Sequence, residues 1–439
     1  MNNKRPRILL ILLTSLLCAC AGPSLKYKKD ITALMANQKF ENASAKIEKN
    51  KKKQYGAKNA VLYNLDLALS QQASYDIQNS LENFTKAQDF NEQLFAKSIS
   101  KSLGSLMIND NTLPYKMTMY EQALTYFFTA MAYLAQDNLS DAAVEMRKAV
   151  FFLDYYREHT KKIYNDEPFV QYFASMIFED IGQLSSARIA RTNAYKAYEN
   201  LKGYFEAQAP SSDLPANYKD LGELVFFHYS GKSPIKISNQ VSVSWDKIGF
   251  ILNNNNSLQG ADKQVIDAVF SGAFGKTIAI SYPSYIDNPY YGVNSVLVLP
   301  DGRTLQTQTV ADLASAAKLT LQEESTAIWA RTVTRVATKF ILSKQAHDIT
   351  KKNGNNQTST LVVDMLTNIF NTATEQADTR SWFLLPAQIK MAQVFLEPGE
   401  YDIAFYNYNA YGTPLDTYRF EKVKIKKGAR TYLWHYSSK

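Results

Sequence analysis

Cys18 and Cys20, four histidines and one compact acid–base–aromatic group are the residues of this 439-residue chain whose types and spacing bear on chemistry. The histidines, His159, His228, His347 and His435, stand far apart. They lack the spacing that sets two imidazoles on one helix face around zinc. No Gly-x-Ser-x-Gly elbow is present. Ser271 to Thr277 ends in Gly-Lys-Thr, but Ser271 stands where a phosphate loop needs its first glycine. Glu323 and Glu324 are adjacent acids on a helical stretch and are expected to be solvated. These patterns supply no catalytic residue, metal site or cofactor, and they point away from an enzyme. Asp378, Arg380 and Trp382 form the most site-like group. On a surface, Arg380 would fork onto a carboxylate and Trp382 would anchor a partner. In the interior the same residues would make a structural clasp.

Cys20 carries a different chemistry. Lys4, Arg5 and Arg7 precede an apolar run, Ile8 to Leu17, broken only by Thr14 and Ser15. That run is well short of the roughly 20 residues a membrane-crossing helix needs. Its basic start and small-residue exit are those of a cleaved export signal. The residues around Cys20 resemble the lipobox of bacterial lipoproteins, whose cysteine becomes the acylated first residue of the mature chain. Cys18 fits worse, because bulky Leu16 and Leu17 precede it. The resemblance implies a signal peptide over 1–19, a lipidated tether over 20–27 with palmitate on Cys20, and a membrane contact made through that residue. Ala21 after the cysteine implies the outer membrane, with the body facing the periplasm. An ordinary signal peptide cut near Ala21 and a buried apolar terminus are the alternatives. Both cysteines lie in this leader, so no disulfide or cysteine ligand is expected beyond it.

A hydrophobic fraction of 46% and an aromatic fraction of 13% describe a folded protein. Lys4, Arg5 and Arg7 contribute three of the formal +8, which leaves a modest +5 without them. Nothing suggests a nucleic-acid partner. Two lysine clusters, Lys26, Lys28 and Lys29 and then Lys46 to Lys53, would suit an anionic surface or simply solvated helix faces.

From 28 to 207 the apolar spacing is helical, with almost no Gly or Pro inside the runs. Similar turns recur at Asn37 to Ala43, Gln72 to Asp76, Gln136 to Ala143 and Ile181 to Ala187. Each has short polar residues, an apolar residue, and small residues opening a second helix. These turns resemble those of tetratricopeptide repeats, with degenerate spacing and an insertion around Ser98 to Lys116. The resemblance implies a helical solenoid whose groove receives a protein segment. Tyr126, Tyr133 and Tyr172 are candidates to line it, ordinary packing being the alternative for each.

Residues 208–218 read as a linker. Beyond it, over 219–439, the period shifts towards two. Strands are expected at 223–229, 241–245, 276–282 (ended by Pro283), 296–299, 304–310, 389–395, 399–407, 419–425 and 431–436. Helices are expected from Asp312 to about Gln345 and from Leu361 to Thr374. This order gives a multidomain α+β chain: a tetratricopeptide-like helical half, then an α+β domain with a largely antiparallel sheet. The run Asp378-Thr379-Arg380-Ser381-Trp382-Phe383-Leu384-Leu385-Pro386-Ala387-Gln388-Ile389, with Tyr120 to Ala149 and Pro168 to Tyr198, is similar to a bacterial lipoprotein family of unassigned biochemistry. Its members carry an Asp-x-Arg-Ser-Trp-x-x-Leu-Pro-Ala-x-Ile run behind a tetratricopeptide-like front. Relatives are often encoded near lipoproteins resembling activators of peptidoglycan synthases, which implies an envelope role. The expectation is a non-enzymatic adaptor that holds envelope proteins in its groove. The rivals are an envelope glycan hydrolase and a lipid or polysaccharide carrier with a cavity beside Leu361 to Ile369.

Overall fold

The computed structural model describes residues 22–98, 113–211, 215–244, 277–329, 331–332 and 376–439. The first half folds into helices α1 (Leu25–Ala36), α2 (Phe40–Lys49), α3 (Ala60–Ala73), α4 (Ile77–Ser98), α5 (Met119–Leu134), α6 (Leu139–His159), α7 (Pro168–Asp180) and α8 (Leu184–Asn200). A π-helical turn, Lys51–Tyr55, and a 3-10 turn, Ala57–Asn59, separate α2 from α3.

The four turns singled out by sequence share one backbone geometry. Gln38, Tyr75, Asp137 and Gly182 each adopt a left-handed conformation, with φ of 59°, 61°, 54° and 74°. Each donates its N–H three residues back, to Met35, Gln72, Leu134 and Glu179. The next residue donates five back, to Leu34, Gln71, Tyr133 and Phe178, with all these bonds between 2.7 and 3.1 Å. This double bond is the Schellman cap, which satisfies the last carbonyls of one helix before the next begins. The result is four helical hairpins: α1–α2, α3–α4, α5–α6 and α7–α8.

Within the later hairpins the two helices differ in environment. In α3 every residue from Val61 to Ala73 is buried, and in α7 every residue from Pro168 to Phe178. In α5 only Gln122 interrupts the buried run from Met119 to Ala132. The second helices bury a narrow stripe rich in alanine, such as Ala187, Ala190, Ala194 and Ala197 of α8. A helix apolar all round must be covered on both sides. The cover comes from the second half of the chain.

That half forms β1 (Gly222–Ser230), β2 (Ile235–Ser244), β3 (Thr277–Ile286), β4 (Asn294–Val298), β5 (Thr304–Gln306), β6 (Gln308–Asp312), β7 (Gln388–Leu396), β8 (Gly399–Tyr408), β9 (Pro414–Ile425) and β10 (Arg430–Ser437). One sheet has the order β10-β1-β7-β6, and its β1–β10 pair is parallel. A second, β5-β4-β8-β9, is antiparallel throughout, and β2 and β3 make a separate antiparallel ribbon. Strand β1 is buried along its whole length. Its Val225, Phe227 and Tyr229 join the helical core, while Leu224 and Phe226 meet Leu297, Ile403 and Phe405 of the second sheet. Side chains that alternate between two cores define a three-layer body: helices, central sheet, outer sheet.

This packing revises four expectations. The tether expected over 20–27 is, from Gly22 onwards, part of the folded body: Pro23 is buried and Ser24 caps α1. Residues 208–211 of the expected 208–218 linker are tied to the central sheet, with Gln208 donating to Thr309 at 3.0 Å and Gln393 donating to Ser211 at 2.8 Å. The halves share one core instead of standing apart: Phe127 lies 5.6 Å from Phe227, and Phe128 lies 5.2 Å from Tyr229. Pro283 does not end its strand either. It pairs opposite Ser238 in a two-stranded ribbon, where a missing N–H can face the free edge. The helix expected from Asp312 is present over 313–329. The one expected from Leu361, with the carrier cavity beside it, lies outside the described residues.

Candidate functional site

The 376–387 run crosses the interior between the helices and the central sheet. Arg380 donates to both oxygens of Asp378, at 2.9 and 2.6 Å. It also donates to Asn59 Oδ1 at 2.9 Å and to the Leu113 carbonyl at 2.8 Å, with its guanidinium 5.7 Å from the Tyr115 ring. Burial opposes ionisation of Asp378, but the hydrogen bonds and charge of Arg380 outweigh it and hold the carboxyl below its ordinary value. Lys28 donates to the Thr379 carbonyl at 2.7 Å, and burial pushes its ammonium down to about 8. The Trp382 backbone N–H donates to Glu121 Oε1 at 2.9 Å. Glu121 also accepts from Tyr115 and closes the capping box of α5 with Thr118. The Trp382 ring, 1% exposed, packs 5.7 Å from Phe128 and 6.2 Å from Phe84.

This is the clasp arrangement. The guanidinium is engaged on every side and the indole is interior, so neither is presented to a partner. The clasp ties the C-terminal half to α1, to the 3-10 turn and to the start of α5.

The three candidate tyrosines are not brought together with it. Tyr126 is buried, accepts from Gln122 at 3.2 Å and packs against Phe152. Tyr133, two turns later on α5, is half-buried against the helical core. Tyr172 lies on α7 with the Arg191 guanidinium 5.6 Å above its ring, and burial pushes its hydroxyl up to about 12. The central sheet covers the aromatic face of α5 and α7 that carries Phe127 and Phe173, while Tyr172 lines an open cleft beside it.

Open space lies elsewhere. A cleft of about 830 Å³ runs between the α3–α4 and α5–α6 turns and the β9–β10 hairpin, lined by Tyr75, Asp137, Tyr418, Lys424 and Trp434. A smaller one, about 450 Å³, is lined by Tyr172, Glu179, Arg191, Tyr218 and Glu223. Asp180 and Arg430 line both. Arg430 donates to Glu223 at 2.7 Å, Asp180 at 2.8 Å, Glu179 at 2.7 Å and the Met176 carbonyl at 2.9 Å. Arg191 makes a second ion pair with Glu179 at 2.9 Å, and Tyr432 donates to Asp180 at 2.6 Å. Burial raises the Asp180 carboxyl, with Arg430 acting against it. A glycan hydrolase needs one carboxyl free to donate a proton and another free to act on sugar or water. Glu179, Asp180 and Glu223 are instead each held by a guanidinium.

Sequence reasoning missed Arg430 and Tyr75. A signal existed for the first: Glu179 and Asp180 end α7, where the helix dipole disfavours acids unless a cation covers them. Tyr75 gave none, since its role depends on β10; its hydroxyl donates to the Trp434 carbonyl at 2.7 Å.

Of the histidines, His228 meets Ser295 at 2.9 Å and His435 meets Asp416 at 3.0 Å, both buried between the two sheets. His159 stacks on Tyr155 at 4.2 Å. His347 and the stretch 271–276 lie outside the described residues. Among the described residues no cluster of metal-ligating side chains occurs. Glu323 and Glu324 are not simply solvated: Glu323 accepts from the Ile163 N–H at 2.6 Å and Glu324 pairs with Lys162 at 3.2 Å, which docks the 313–329 helix onto the loop after α6. Compared with known proteins, the chain matches no family model and no curated protein sequence.

Proposed function

We propose that the chain is an outer-membrane-anchored periplasmic lipoprotein that works as a protein-interaction adaptor in cell-envelope biogenesis, with regulation of peptidoglycan synthesis as the sharper form. Location rests on the leader and Cys20. The adaptor role rests chiefly on one observation about α6. Val144, Phe151 and Tyr155 are 40%, 77% and 46% exposed and follow one another at steps of seven and four, on one helix face. Lys148 stands between Val144 and Phe151 on that face, so the row is an apolar stripe with a cation set in it, a mixture that suits a protein partner. The partner face is therefore the outer side of the helical hairpins, since the central sheet covers the aromatic face of α5 and α7.

Purification of the acylated chain from crosslinked cells tests this. A defined envelope protein should be recovered with wild type and lost with Phe151→Ala combined with Tyr155→Ala, at unchanged folding. Recovery of the same protein with both would refute this face, and recovery of the chain alone would refute the adaptor role. Unaltered wall composition and antibiotic sensitivity on deletion would remove the link to wall synthesis.

A further inference from the structure

We infer that the start of α1 and the 49–53 segment form a docking surface for an anionic lipid bilayer, so that the acylated chain lies on the membrane instead of swinging from it. This rests on acylation of Cys20. From Gly22 onwards the chain is fixed to the body. A Cβ on Gly22 would stand 2.6 Å from Cγ of Arg380, which is itself pinned. The Ser24 N–H donates to Gln54 Oε1 at 3.0 Å, and Ser24 Oγ accepts from the Tyr27 N–H at 3.3 Å. Two residue steps separate Cys20 from Gly22, a span of at most about 7 Å. A lipid chain on Cys20 therefore brings this end of the body to the headgroups, within roughly the 8 Å over which charges act at physiological salt.

The residues at that end are basic. Lys26, Lys29, Lys49, Lys51, Lys52 and Lys53 are all exposed. Among the described residues none of the six has a carboxylate in ion-pair range, whereas neighbouring Lys46 is held by Asp30 at 3.0 Å. The two clusters, distant in sequence, are joined in space. The Tyr27 ring packs 6.1 Å from Tyr55, its hydroxyl donates to the Lys46 carbonyl at 3.4 Å, and the Ser24–Gln54 bond closes the contact. An acyl anchor beside a polybasic patch is the two-signal arrangement that holds proteins stably on anionic membranes. A soluble polyanion would satisfy the same charges, but the short reach from Cys20 brings the bilayer to this face first.

The test uses the acylated chain with a fluorophore on Ala57→Cys, an exposed position next to the patch. Energy transfer to acceptor lipids is read in vesicles of phosphatidylcholine alone and of phosphatidylcholine with phosphatidylglycerol. Transfer should be stronger with phosphatidylglycerol. It should fall to the neutral-vesicle level in about 1 M salt, where charges reach only about 3 Å. It should fall likewise when the six lysines are replaced by Gln at an unchanged melting temperature. Equal transfer in both vesicle types overturns the docking. So does a Gln variant that still docks on vesicles but no longer binds isolated cell-wall sacculi. Flotation with neutral vesicles reports the anchor separately, and its absence would refute acylation itself.

Discussion

At the scale of single residues, Arg380 and Glu167 make the sharpest predictions. Removing one partner of a buried, hydrogen-bonded charge pair costs about 3–5 kcal/mol, because the other charge is left uncompensated. Arg380→Ala strands Asp378, Asn59 and the Leu113 carbonyl, so its denaturation midpoint should collapse; a loss below about 1 kcal/mol would contradict the clasp. Glu167 precedes α7, accepts from the Tyr164 hydroxyl, and has its carboxyl pushed up to about 7, chiefly by burial. A carboxyl raised on folding binds its proton in the native state first. Its contribution is therefore fully present below the unfolded value and lost as pH rises through about 7. Relative to Glu167→Gln, the wild type should lose on the order of 2–3 kcal/mol between about pH 4.5 and 7. A flat difference curve across that window would contradict it. The clasp residues were legible as a group because acid, base and indole fall within five positions. An interior clasp was one of the two readings, but its partners were not legible, since Asn59, Leu113 and Glu121 come from distant parts of the chain.

At the scale of elements, the hairpin turns were the most legible feature, because a Schellman cap is a local device with local residues. Gly182 has φ of 74° and open space within 4 Å of where a methyl would stand, so Gly182→Ala adds backbone strain without a clash. It should cost about 1–2 kcal/mol, and no measurable loss would contradict the left-handed turn. Tyr75 holds the same conformation against the preference of a bulky side chain, and its hydroxyl reaches β10. Tyr75→Phe should therefore cost about 0.5–1.5 kcal/mol, the usual worth of one hydrogen bond. No change in the urea midpoint would show that bond to be idle. Most strands were legible from alternation and from turns such as Pro300-Asp301-Gly302, where Gly302 takes φ of 82°. Pro283 misled because the rule against proline in strands applies to central ones. Strand partners were not legible: β1 lies between β10 and β7, far apart in sequence, and no local pattern encodes that pairing.

At the scale of the whole molecule, two halves that sequence separates are joined by one core. Phe127 of α5 lies 4.8 Å from both Phe169 and Phe173 of α7. All three rings stand 5.6–5.7 Å from Phe227 of β1. The linker composition at 208–218 signalled a boundary in the chain but could not signal that residues 208–211 are hydrogen-bonded to the sheet. Helical and tryptophan signals should therefore melt together, since Trp382 and Trp434 report the junction while the helices report the first half. Two separated transitions would contradict a shared core. The same packing leaves exposed the outer helix face and the lysine-rich end of α1, on which the proposed work at a membrane rests. Everything proposed about that work depends on what Cys20 carries. Mass measurement of the N-terminal peptide of the protein recovered from outer membranes tests it most directly. The predicted result is a chain that begins at Cys20 and bears acyl groups; a free thiol there, or a start at another residue, would contradict it.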